Sequence, residues 1–129
     1  MNPLARLITI VVLTLTGLAM GWIGVSFVWD FIYGIGGSVV TDEEYGALLV
    51  PVARSGMIAG AISGFLVGAV LRFPESALVV LGLHLLSVIV GSAAAFGGRK
   101  CGLIAYHSTH AVVVLAAFVV ALGRAVRKP

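Results

Sequence analysis

The sequence predicts an all-α fold: an integral membrane bundle of four transmembrane helices with a kinked second helix and both termini cytoplasmic. Three observations lead there. First, 60% of the 129 residues are hydrophobic and only 10% are charged, whereas a soluble domain carries about a quarter charged residues. Second, the charges lie between long apolar blocks and not within them. Third, Gly56, Gly60, Gly64 and Gly68 stand at intervals of four in one apolar stretch. Glycine is a poor helix residue in water, so a regular run needs a packing reason. In a bilayer that reason is close approach of helix backbones. The whole chain, 1–129, reads as a single transmembrane domain.

The first helix is expected at about 4–29. Arg6 followed by an apolar run resembles a signal peptide, but the run is longer than a signal core and no A-x-A site ends it. Gly17, Gly21 and Gly24 fall on one side of a 3.6-residue helix and mark a packed face. Trp29 and Tyr33 suit an interfacial aromatic belt, with Asp30 at the exit. The glycine-rich segment 31–40 is too short to span, and reads as an interfacial segment or a loose extension of this helix.

Thr41-Asp-Glu-Glu44 is a capping-box pattern that starts the second helix, expected at about 42–71. Pro51 removes one backbone hydrogen bond there and predicts a kink near the interface. Arg54 and the glycine ladder follow. Arg72 to Glu75 forms a short turn, with Pro74 suited to the first turn of the third helix at about 75–96. Ser87 and Gly91 share a side of that helix with His84. Residues 97–102 read as a turn, and the fourth helix is expected at about 103–123 with a basic end at Arg124, Arg127 and Lys128. Four spans put Arg6, Arg72, Arg124, Arg127 and Lys128 on one side, against Arg54, Arg99 and Lys100 on the other, and the positive-inside bias places both termini in the cytoplasm. A bacterial inner membrane is the expected location.

Polar groups inside the apolar blocks are the candidate functional residues. Beyond His110 only the apolar run 111–123 remains, which covers roughly 20 Å of the roughly 30 Å hydrocarbon core, so His110 and His107 lie within the membrane. Topology brings Asp30, Arg54, Tyr106, His107 and His110 to one leaflet as a candidate polar cluster. His84, His107 and His110 are candidate cofactor ligands. Counted from the two membrane boundaries, His84 and His110 differ in depth by about 10 Å, which is large for a haem or other tetrapyrrole held between them. The lone Cys101 forms no intramolecular disulfide, and no spacing specifies a metal site. No catalytic motif or phosphate loop occurs, and no basic stripe with interleaved aromatics suggests nucleic acid.

The function expected first is a structural or accessory subunit of a larger membrane complex or homo-oligomer, because helices one to three carry more small-residue faces than a small bundle uses. Its partners are then membrane lipid and other membrane subunits or copies of itself. The second expectation is a subunit binding haem, pigment, quinone or metal through the histidines. The third is a small transporter or proton pathway through Arg54, Tyr106 and the outer histidines.

Overall fold

A computed structural model describes residues 2–36 and 41–128, with no side-chain description for 35 and 36. The chain forms α1 (Pro3–Gly36), α2 (Asp42–Val70), α3 (Glu75–Ala94) and α4 (Arg99–Val126), with a single 3₁₀ turn (Ala95–Gly97) between the last two. All four helices are long and apolar enough to cross a membrane. Among the described residues there is no strand.

The helices pack as two hairpins. α1 lies most extensively on α2, and α3 on α4; the hairpins join through α1–α3 and α2–α4 contacts. Arg6 donates a hydrogen bond to the Ala69 carbonyl, tying the start of α1 to the end of α2. Glu75 pairs with Arg124 and ties the start of α3 to the end of α4. The start of α1 and the end of α4 therefore sit at one end of the bundle. Large apolar side chains such as Ile23, Leu78, Leu115 and Leu122 point outward, as helices facing acyl chains require.

The α1–α2 seam is made by backbone. A Cβ on Gly60 would fall 2.8 Å from Gly17 C and 3.0 Å from Gly21 Cα; Cβ atoms on Gly56 and Gly64 would run into the carbonyls of Gly21 and Leu13. Gly68 is looser, with Ile10 Cα at 3.3 Å. Gly24 and Gly91 serve a different contact, with the Tyr106 side chain at 3.0 Å and 3.2 Å from their built Cβ positions. The small faces of α1 and α2 are thus used inside the chain.

Several boundaries differ from the sequence reading. α1 continues past Trp29 to Gly36. Nothing in 30–36 breaks a helix outright, and Ile32 and Tyr33 are buried in the bundle, so packing outweighs the glycines. Residues 37–40 of the expected interfacial segment lie outside the described residues. Asp30 is consequently not the last residue of the helix, which continues six residues beyond it. Trp29 and Tyr33 form no interfacial belt. They are buried, in edge-to-face contact with centroids 4.9 Å apart, and Tyr33 also meets Tyr45 and lies under the Arg99 guanidinium at 4.8 Å. α4 begins at Arg99, directly after Gly98 at φ 128°, a conformation that favours glycine. Pro74 is the N-cap of α3, one step ahead of the expected first-turn position. α2 runs unbroken through Pro51, and its capping box is present: Glu44 N–H donates to Thr41 Oγ1, and Thr41 N–H to the Glu44 carboxylate, each at 3.2 Å.

Two apolar clusters fill the core. One, towards the Gly98 end, includes Val25, Val28, Ile32 and Tyr106; the other, towards the chain termini, includes Leu13, Val67, Val80 and Ala117.

Candidate functional site

Between the two clusters the core turns polar. His84 of α3 and His110 of α4 are 2% and 3% exposed. Their rings meet edge to face with centroids 5.0 Å apart. The depth offset expected from the membrane boundaries does not exist. Each histidine stands thirteen positions from Gly97, one before it and one after, and an antiparallel hairpin brings equal distances from its turn to equal height. The early start of α4 at Arg99 and the tight turn preserve that symmetry.

The hydrogen bonds around His110 fix its tautomer. His110 Nδ1 lies 3.1 Å from the Tyr106 carbonyl oxygen, which only accepts, so Nδ1 carries the hydrogen. The same nitrogen is 2.9 Å from Ser87 Oγ. The Ser87 hydroxyl spends its own hydrogen on the Leu83 carbonyl at 2.8 Å and therefore accepts from His110. A neutral His110 then keeps its lone pair on Nε2. That atom is buried and has no partner, and neither ring nitrogen of His84 has one. An unpaired buried polar atom costs about 1–3 kcal/mol. Three of them in two touching rings form a concentration that native cores usually satisfy with water or a ligand.

Tyr106 and His107 frame the pair. Tyr106 is fully buried, its ring 4.7 Å from that of His110, and its hydroxyl donates to the Gly21 carbonyl at 3.3 Å. It thereby links the two hairpins. His107, half-buried, is 3.1 Å from Ser55 Oγ of α2 through Nε2. Ser55 donates to the Val52 carbonyl at 2.7 Å, so His107 Nε2 is the donor towards Ser55. A groove of about 240 Å³ between α2 and α4 is lined by Ser63, His107 and His110 among apolar residues.

Asp30 and Arg54 do not join this cluster. Both are exposed, and neither enters an ion pair among the described residues. Glu44, a possible partner for Arg54, caps its own helix instead. Helical periodicity turns Asp30 and Arg54 outward at the heights where Trp29 and Ala53 face the core. The residues missed as site members are Ser87, read only as a packing residue, and Ser55. The signal for Ser87 was its place three positions after His84, on the same helix face.

The pair can act as a donor set for a metal ion. With metal–nitrogen bonds of about 2.0–2.1 Å, an imidazole centroid lies about 3.2 Å from a bound metal, so two rings on one tetrahedral ion sit about 5.2 Å apart. The observed 5.0 Å falls within that spacing, as it does within ordinary edge-to-face ring packing. Ligands on opposite faces of a tetrapyrrole would stand about 6.4 Å apart with the macrocycle between them, which two rings in direct contact do not allow. The His110 Nδ1–H to carbonyl bond is also the outer-shell contact that orients a ligating histidine. No group of three or more His, Cys, Asp or Glu side chains that could hold a metal ion gathers among the described residues, so the pair would be at most a two-nitrogen donor set. Compared with known proteins, the chain matches no family model, no curated protein and no solved structure.

Proposed function

We propose that this chain is a four-span membrane protein that holds a tetrahedral transition-metal ion of the zinc type inside the bilayer through His84 and His110. The observation that carries the reading is the set of three unpartnered ring nitrogens in two buried imidazoles at ligand-sharing distance. Imidazole suits such a metal, and a cation held between helices is a recognised role for intramembrane polar residues. The alternative of an accessory or homo-oligomeric subunit drew on spare small-residue faces. Those of α1 and α2 meet each other within the chain, so that reading has lost its principal motive.

The same reading places the chain in a bacterial inner membrane, where helical bundles and not barrels are the spanning form. Cytoplasmic termini are supported by Arg6, Arg72, Arg124, Arg127 and Lys128 at the terminal end. A kink at Pro51 belongs to the same reading.

The test is a titration of purified protein with zinc against a competing chelator, with cobalt(II) as an optical reporter. One equivalent should bind, and saturation to 100 times the Kd should raise the unfolding free energy by about 2.7 kcal/mol. His84→Ala and His110→Ala should each abolish binding, while His107→Ala retains it. Binding that survives the His84→Ala/His110→Ala double substitution, or no binding by the intact chain, refutes the proposal.

A further inference from the structure

A second site stands at the end of the bundle that gathers the chain termini. A cavity of about 340 Å³ there is lined by Arg6 of α1, Arg72 of the α2–α3 link, Glu75 of α3, and Arg124 and Lys128 from the end of α4. Glu75 is its one acidic lining residue, and Arg124 engages it in a two-pronged pair at 2.6 Å and 2.8 Å. Arg6 reaches the Ala69 carbonyl, which holds its guanidinium over the open end of α2. Arg6, Arg72 and Lys128 have no carboxylate partner among the described residues. Three cations without a carboxylate partner around one cavity match the acceptor oxygens of a phosphate, and the guanidinium fork does so with two parallel donors.

A separate apolar groove of about 510 Å³ lies between α1 and α3, lined by Ile8, Val12, Phe73, Ala77, Val80 and Leu81 among others. Two steps of the chain connect them: Ala5 lines the groove and Arg6 the cavity, and Phe73 lines the groove and Arg72 the cavity. The cationic chamber and the apolar slot share no lining residue, but these two steps of the chain set them at the same end of the bundle.

We propose that this end of the bundle binds an anionic phospholipid, with its phosphate among Arg6, Arg72 and Lys128 and one acyl chain in the α1/α3 groove. The charge selects the occupant: a zwitterionic lipid carries its own cation into a chamber already short of anions. Each basic residue at a membrane surface favours an anionic lipid about five-fold, so three favour it on the order of 100-fold.

The experiment is native mass spectrometry of the full chain, released from detergent after exposure to equimolar phosphatidylglycerol and phosphatidylcholine with identical acyl chains. Phosphatidylglycerol should be retained in excess by a ratio on the order of 100. The triple substitution Arg6→Gln/Arg72→Gln/Lys128→Gln should bring the ratio close to one. All three positions are exposed; if the triple variant nevertheless misfolds, Arg6→Gln and Arg72→Gln singly should each lower the ratio about five-fold. Equal retention of the two lipids by the unaltered protein overturns the proposal, as does a ratio unmoved by the substitutions. Displacement of bound lipid by inorganic phosphate or glycerol phosphate as readily as by phosphatidylglycerol would make this a soluble-anion site and also overturn it.

Discussion

Gly60→Ala is the sharpest test of how the bundle is held together. The new Cβ would lie 2.8 Å from Gly17 C and 3.0 Å from Gly21 Cα, and nearer still to the Gly17 carbonyl oxygen. Every one of these atoms is backbone, so no rotamer change relieves the clash. Real Cβ contacts start at 3.0 Å, and the carbonyl oxygen is the closest of these atoms, so α1 and α2 must part by about 1 Å or more. A gap of that size forfeits a quarter to a half of the dispersion energy of each facing atom pair, and it propagates along a seam that also holds Gly17, Gly21, Gly56 and Gly64. The cost falls at the upper end of overpacking, about 2–3 kcal/mol, or a 30- to 150-fold shift in the folding equilibrium. Gly82→Ala is the matched control. Gly82 faces outward with nothing within 4 Å of a built Cβ, and alanine there should be neutral or better by up to about 1 kcal/mol. Reversible unfolding of both variants in mixed detergent micelles measures the difference. A Gly60→Ala variant no less stable than Gly82→Ala would refute the backbone-to-backbone seam.

Further outcomes follow from the same contacts. Ser87→Ala removes an acceptor from His110 Nδ1 and should weaken metal binding by about 10-fold in the chelator competition, with little change in the stability of the metal-free protein. Tyr106→Phe loses one long hydrogen bond to Gly21 and should cost about 0.5–1 kcal/mol, whereas Tyr106→Ala empties a fully buried site and should cost about 3–5 kcal/mol; detergent unfolding separates them. Thr41→Ala breaks the capping box at about 1 kcal/mol, and faster hydrogen exchange should appear in the first turn of α2 but not around Gly60. Glu75→Gln removes an ion pair whose partners are 59% and 40% exposed, and thermal unfolding should register little or no change, because solvent screens the pair.

Composition and apolar run length made the four spans legible, because lipid imposes one length scale on every helix. The Thr41–Glu44 cap was legible because it is local, with all its atoms within four residues. Contacts between helices were not. Trp29 and Tyr33 look the same in sequence whether they face headgroups or protein, and only the arrival of Tyr45 and Arg99 buries them. His84 and His110 were misplaced because depth was counted from membrane edges, whose positions depend on helix ends. The shared turn at Gly97 is the sounder origin, since both helices must leave it together. Chain order can set only the height of Arg54 and Asp30 along the bundle; it says nothing about azimuth, and both are exposed.

That common origin makes the hairpin a ruler. One residue added within α4 before Tyr106 would swing everything beyond it by about 100° and lift it about 1.5 Å, carrying the second imidazole away from the first. Seven added residues would restore the heading but leave the rings about 10 Å out of step. Length in this half of the protein is as much a part of the chemistry as the two side chains themselves.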